Sequence, residues 1–286
     1  MRCFILFFAL SLAASSIAQE AAIRIDQRGD ADGAVTLYLP GFATPGSSLE
    51  ELAEQVDPTR SNLFVTYAGF GDVPAVDTAW YPRVRDALFA YLDALPADRF
   101  DLVGHSMGGS LAVEAAARFP ERVGAVVLLD ALACMRCLMM PGAPAEAFAY
   151  ESPQTAMMLA MTSEQVEAGN AQMAISMTAD SSRQRQLASW MNAADRETFV
   201  YGYVDLLRLD LRPLLSDVVA PVTMLASPSF GRETVEQNMR EQYARAGDFT
   251  LDIAPDGTLH YVMWDAPVWT AARVRAALEV NTAPRG

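Results

Sequence analysis

Phe100-Asp101-Leu102-Val103-Gly104-His105-Ser106-Met107-Gly108-Gly109 begins as an apolar strand and passes without a linker into a helical run, Ser110 to Arg118, that ends near Pro120. Strand, G-x-S-x-G and helix in that order form the pattern of a nucleophile elbow. The spacing has a physical reason. A serine whose hydroxyl must stand at a strand tip needs a tight, strained turn, and only small residues two before and two after it let the backbones pass. Gly104 and Gly108 meet that demand around Ser106. The plain alternative is a glycine-rich turn holding a chance serine, and the correct elements on both sides argue against it.

Outward from this turn, short apolar runs alternate with helical patterns, as in an α/β fold whose mainly parallel sheet is crossed over by helices. Strands are predicted at Ile23 to Asp26, Val35 to Leu39, Leu63 to Tyr67, Phe100 to Val103, Val123 to Leu129, Val222 to Ala226 and Thr250 to Ile253. Those from Val35 through Leu129 alternate little, as strands covered on both faces do. Val84, Leu88, Tyr91 and Leu95 recur at helical spacing and predict a crossover helix with one buried face. The rhythm breaks between Ala131 and about Leu211, where no strand is evident and helix starts recur. Thr162 with Gln165 and Ser181 with Gln184 have capping-box spacing, and Asp195 precedes the run Arg196 to Leu207. Residues 131–211 are therefore expected to form a helical lid inserted into a single α/β domain that spans 19–286. Nine of the 14 methionines fall in this stretch, from Met135 to Met191, some as gap-filling core and some as adaptable apolar surface facing a ligand.

Composition narrows the chemistry. Among 286 residues, 35 acidic against 21 basic ones leave a net charge of −14, which repels phosphate backbones and excludes nucleic acid as a partner. No lysine occurs, so Schiff-base chemistry is excluded. Two histidines and three cysteines are too few for most protein-built zinc sites. No cofactor is expected. Met1 to Ala18 combines Arg2, an apolar run from Cys3 to Ala14 and the small-residue ending Ser16-Ile17-Ala18, which is the form of a secretory signal peptide. That run is shorter than the ~20 apolar residues of a membrane span, so no stable anchor is expected after cleavage. The expected location is secreted or periplasmic. Cleavage leaves two cysteines, Cys134 and Cys137, as a local disulfide or as two buried thiols.

Further motifs accompany the elbow. Leu39-Pro40-Gly41-Phe42 follows the first long strand, and Ala68-Gly69-Phe70-Gly71 follows the next. His260-Tyr261-Val262-Met263-Trp264-Asp265-Ala266-Pro267 precedes a terminal helix expected from about Trp269 to Val280. With these residues the chain resembles the α/β-hydrolase superfamily over about residues 34–280, particularly its lid-bearing esterase, lipase and cofactor-free haloperoxidase-like branches. The resemblance implies a Ser-His-acid triad and an oxyanion hole made by the backbone N–H groups of Phe42 and Met107.

A serine hydroxyl needs a base, and imidazole suits neutral pH. His105 lies within the elbow, where chain direction turns it from the Ser106 hydroxyl, so it is given a structural role. His260 stands where the superfamily carries its base. The acid stays open. The loop in which the superfamily most often carries it reads Ser227-Pro228-Ser229-Phe230-Gly231-Arg232-Glu233, without aspartate. Asp130, at the end of Val126-Val127-Leu128-Leu129, fits a second known arrangement, or it caps the first insertion helix. Glu233 and Asp256 are the alternatives. These residues lead to the expectation of a serine hydrolase acting on small esters with an apolar acyl group. Lactone, amide or carbon–carbon hydrolysis, perhydrolysis on the same residues, or silent ligand binding are the rivals.

Overall fold

Leucine-rich and β-branched runs lacking polar alternation build the centre of a seven-stranded sheet, in which β3 (Ser61–Tyr67), β4 (Phe100–His105) and β5 (Val123–Leu129) are buried at every residue. The computed structural model describes residues 22–77 and 79–279. The expected signal segment, Met1 to Ala18, lies outside them. β1 (Ile23–Arg28), β2 (Val35–Leu39), β6 (Val222–Ala226) and β7 (Phe249–Ile253) complete the sheet in the order β1-β3-β2-β4-β5-β6-β7. Every pairing is parallel except that of β1 with β3, which is antiparallel. The register aligns Leu39 with Gly104, His105 with Leu129 and Leu129 with Leu225, so the carboxyl ends of β2, β4, β5 and β6 meet along one edge.

The crossovers are helical: α1 (Glu50–Val56), α2 (Trp80–Ala94) and α3 (Met107–Arg118). α2 buries Trp80, Tyr81, Val84, Ala87, Leu88 and Leu92. The predicted face holds: Val84 and Leu88 are buried and Tyr91 and Leu95 pack half-buried against the core, Leu95 from just past the helix end, while Leu92 adds a further buried position.

Five α-helices and no strand lie between β5 and β6: α4 (Met135–Met139), α5 (Pro153–Leu159), α6 (Ser163–Met177), α7 (Ser181–Ala193) and α8 (Arg196–Arg208). α6 starts with the expected capping box of Thr162 and Gln165, and Asp195 caps α8 by accepting the Thr198 N–H. The expected box at Ser181 is corrected by one residue. Asp180 is the cap, its carboxylate accepting the N–H groups of Ser182 and Arg183. The methionines divide: Met191 is 4% exposed and packs in the core, whereas Met139 and Met157 are 57% and 65% exposed. After β6 the chain forms α9 (Arg232–Gln242), and after β7 it forms α10 (Val262–Asp265) and α11 (Pro267–Glu279). No helix among the described residues is long and apolar enough to cross a membrane.

Candidate active site

Ser106 occupies the single residue between β4 and α3, with φ 52° and ψ −120°. Positive φ is costly for a residue with a side chain, so surrounding contacts must hold it. They do so by leaving no room for alternatives. A Cβ on Gly104 would stand 2.5 Å from the Gly108 carbonyl oxygen, one on Gly108 2.0 Å from the Leu39 oxygen, and one on Gly109 2.4 Å from the Ala131 Cβ. The Ser106 N–H donates to the Leu129 oxygen at 3.0 Å, which sets the serine beside the tip of β5. Met107 is the first helical residue, so its N–H has no partner within the helix.

The loop after β2 lies against this turn. A Cβ on Gly41 would fall 2.8 Å from His105 Nδ1 and 3.5 Å from Ser106 Cβ. Phe42, next in the chain, is half-buried in an aromatic box with ring centroids 5.0 Å from Phe70, 5.6 Å from Trp80 and 5.2 Å from Phe199. Gly202 of α8 makes this possible, since a Cβ there would meet the Phe42 ring at 2.8 Å. Gly41 was legible only as part of the Leu39-Pro40-Gly41-Phe42 motif and not for its packing on His105, and nothing local marks Gly202.

Asp130 follows β5 with φ 46°, and its N–H is held by the Leu225 oxygen at 2.9 Å. Its carboxylate Oδ2 lies 2.7 Å from His260 Nδ1, and Oδ1 accepts the Ser227 N–H at 2.9 Å. A carboxylate only accepts, so Nδ1–H is the donor to Asp130, and the tautomer this bond selects leaves Nε2 as the acceptor of the ring. Both oxygens being engaged, Asp130 does not cap α4; Cys134 is the residue at that position. Glu233 stands exposed in the first turn of α9, and Asp256 is an exposed partner of Arg232 at 3.1 Å. The loop where an acid is most often found instead contributes the Ser227 N–H.

His105 is fully buried, with Nε2 3.1 Å from the His260 carbonyl oxygen and its ring 4.7 Å from the His260 ring. Burial, reinforced by His260, pushes its pKa well below the usual histidine range, so it is neutral and donates Nε2–H to that carbonyl. His105 Nδ1 has no hydrogen-bond partner among the described residues and faces Gly41. The side-chain and carbonyl hydrogen bonds of His260 run to Asp130 and His105, and among the described residues none reaches Ser106 Oγ. In unliganded sites this bond is often long and shortens with substrate. Cys134 and Cys137 form a disulfide. Together with Asp210 they are the His, Cys and acidic side chains close enough to share an ion among the described residues, and the disulfide consumes both thiols.

A strained serine after a parallel strand, with a carboxylate-bound histidine at the same sheet edge, invites comparison with known families. The model of the alpha/beta hydrolase family matches residues 36–273. The chain belongs to the alpha/beta hydrolase family. It spans 37%, 22% and 16% of the length of the first three curated relatives it matches. One is a Mycobacterium phage D29 protein, provisionally named a non-heme haloperoxidase, 60% identical over 105 residues that cover 35% of this chain. A pimeloyl-[acyl-carrier protein] methyl ester esterase of Shewanella sp. (strain MR-7) is 27% identical over 73% of this chain and 77% of its own. Among solved structures, an esterase from Exiguobacterium antarcticum superimposes with a TM-score of 0.74 at 15% identity, covering 90% of this chain and 95% of the other, which shows the shared alpha/beta hydrolase fold.

Proposed function

We propose that this protein is an exported serine hydrolase that cleaves carboxylic esters through an acyl-enzyme. The observation that carries the reading is the 2.7 Å bond between His260 Nδ1 and Asp130 beside the strained Ser106 turn. In this mechanism His260 Nε2 takes the Ser106 proton as Oγ attacks the ester carbonyl carbon, and the N–H groups of Phe42 and Met107 receive the developing oxyanion. Collapse expels the alcohol, which takes the proton from His260. Water then gives a proton to His260 and attacks the acyl carbon, and as the carbon–Oγ bond breaks to release the acid His260 returns that proton to Ser106 Oγ. Asp130 holds the imidazole tautomer and stabilises the imidazolium.

The ester names of the Shewanella relative and the Exiguobacterium structure support the substrate class. The aromatic box around Phe42 and the methionines between β5 and β6 support an apolar acyl group. Export, to the periplasm or the medium, rests on the signal-like Met1 to Ala18 and agrees with a disulfide in the mature chain. The test is a fluorophosphonate probe with mass-spectrometric mapping, followed by turnover of ester, lactone and anilide panels with and without hydrogen peroxide. Labelling at Ser106, its loss in Ser106→Ala and preference for esters are expected. An unlabelled wild type, or equal labelling of Ser106→Ala, overturns the reading. A lactone, amide or peroxide preference would replace the substrate class while keeping the residues.

A further inference from the structure

Asp265 stands five residues after His260 and binds three donors with one carboxylate. Oδ2 accepts the Leu259 N–H at 2.9 Å; Oδ1 accepts the Thr178 hydroxyl at 2.7 Å and the Ala179 N–H at 3.0 Å. Leu259 immediately precedes His260, while Thr178 and Ala179 immediately follow α6. A second bond joins the same two segments: the Tyr261 N–H donates to the Met177 oxygen at 3.0 Å. Both chain neighbours of His260 are thereby fastened to the end of α6, one through Asp265 and one directly. The His260 carbonyl is fastened separately, to His105. Thr178 is fully buried, so its hydroxyl is no incidental surface contact. No arginine or histidine pairs with Asp265 among the described residues, which leaves these hydrogen bonds as its visible engagement.

We propose that Asp265 is a positioning residue for His260 and that it couples the histidine loop to the helices between β5 and β6. The inference rests on the serine-hydrolase reading above for its effect on turnover. A base must be held closely over the proton it removes, and a displacement of about 1 Å can cost on the order of 10²-fold in rate. His260 reaches Asp130 from a loop, and the strand tip that carries Asp130 cannot by itself fix the imidazole's height over Ser106. Asp265 supplies that constraint through the Leu259 N–H, on the residue before the histidine. Because the same carboxylate holds Thr178 and Ala179, a ligand that displaces the end of α6 also displaces the base.

The experiment compares Asp265→Asn, Thr178→Val and the double variant in the full mature chain. Asp265→Asn keeps the shape but turns one acceptor oxygen into a donor, so one of the opposing groups loses its partner. Turnover of a short ester per fluorophosphonate-titrated site is expected to fall roughly 10- to 100-fold, with KM changed by less than about three-fold. Thr178→Val should lose a few-fold, and the double variant little more than Asp265→Asn, because both act on one network. Hydrogen exchange in Asp265→Asn should rise together in residues 255–262 and 174–180. A merely structural role would lower the titratable fraction and leave turnover per titrated site at the wild-type value, and that result overturns the proposal. Should the wild type neither label nor turn over esters, the serine-hydrolase reading fails, and exchange then decides the coupling. Exchange that stays unchanged at 255–262 overturns it, and a joint rise sustains it.

Discussion

A carboxylate can serve an imidazole only where its backbone is fixed, and Asp130 and Glu233 differ in that respect. Asp130 ends a buried strand, its N–H held by Leu225 and one oxygen by Ser227, so a short side chain meets His260 Nδ1 at 2.7 Å. Glu233 lies exposed on the first turn of α9. Asp130→Asn is accordingly expected to fold normally and to lose on the order of 10³ to 10⁴ in kcat, because the amide favours the wrong tautomer and cannot stabilise the imidazolium. Glu233→Gln should stay within about two-fold of wild type. Steady-state kinetics on an activated ester, with circular dichroism as the folding check, separates them; the reverse ranking moves the acid to the α9 loop. Ser106 and His260 were legible as candidates because glycine spacing and the scarcity of histidine are local facts. The acid was not. Its choice depends on which carboxylate meets an imidazole across 130 residues of chain, and the strand-end position of Asp130 was only a sign. The Gly41 contact was hidden for the same reason, since closeness to His105 arises from strand order rather than from sequence neighbours.

Elements begin where tertiary bonds release the chain, which is why the cap of α7 lies one residue before the position its local spacing predicts. Asp180-Ser181-Ser182 offers consecutive capping side chains, and local spacing favoured Ser181 with Gln184. Asp265 holds the Ala179 N–H, keeping the chain extended up to that point, and Asp180 becomes the first residue able to receive the free N–H groups of the helix. The Ser182 hydroxyl and the N–H groups of Arg183 and Ser182 hold the Asp180 carboxyl below its ordinary range. A carboxyl with a lowered folded-state pKa adds stability above its unfolded value, and that contribution disappears as pH falls through the folded value. Asp180→Ala should therefore lower the urea midpoint at neutral pH, and its difference from wild type should shrink as the pH drops below about 4. Ser181→Ala should track wild type throughout. Urea titrations at several pH values check both. The helix at Thr162 was legible because its cap and its box partner are three residues apart and both side chains engage as the spacing implies. The seven strands were legible to within a few residues because each concentrates apolar and β-branched residues in a short run.

Strand order belongs to the whole molecule, and with it the separation of stability from the candidate chemistry. The antiparallel entry of β1 and the sequence of neighbours could not be read locally, because pairing partners lie tens of residues apart. That order sets Ser106, Asp130 and His260 on the carboxyl edge of the sheet and a different buried cluster on the amino edge. There the Arg60 guanidinium bonds Asp101 near the start of β4 and donates through Nε to Thr36 Oγ1 at 2.6 Å, while Asp101 Oδ1 accepts the Ala125 N–H at 2.9 Å. The two charged side chains are only 10% and 11% exposed. Burial outweighs Arg60 and keeps the Asp101 carboxyl above its ordinary range, so the ion pair is costly to bury in itself. What the fold cannot tolerate is half of it. Asp101→Asn retains an acceptor for Ala125 but strands the Arg60 charge, and it should reduce the unfolding free energy by about 3–5 kcal/mol. Adding Arg60→Met removes the stranded charge, so the double variant should be more stable than Asp101→Asn alone, an inversion that two independent losses would not produce. Turnover per titrated Ser106 should remain within about two-fold of wild type in both, because no part of the cluster reaches the carboxyl edge. Denaturant unfolding and active-site titration on the same samples decide the matter: a double variant less stable than the single would assign the loss to hydrogen bonds, and a fall in per-site turnover would show that the two edges are coupled through β4.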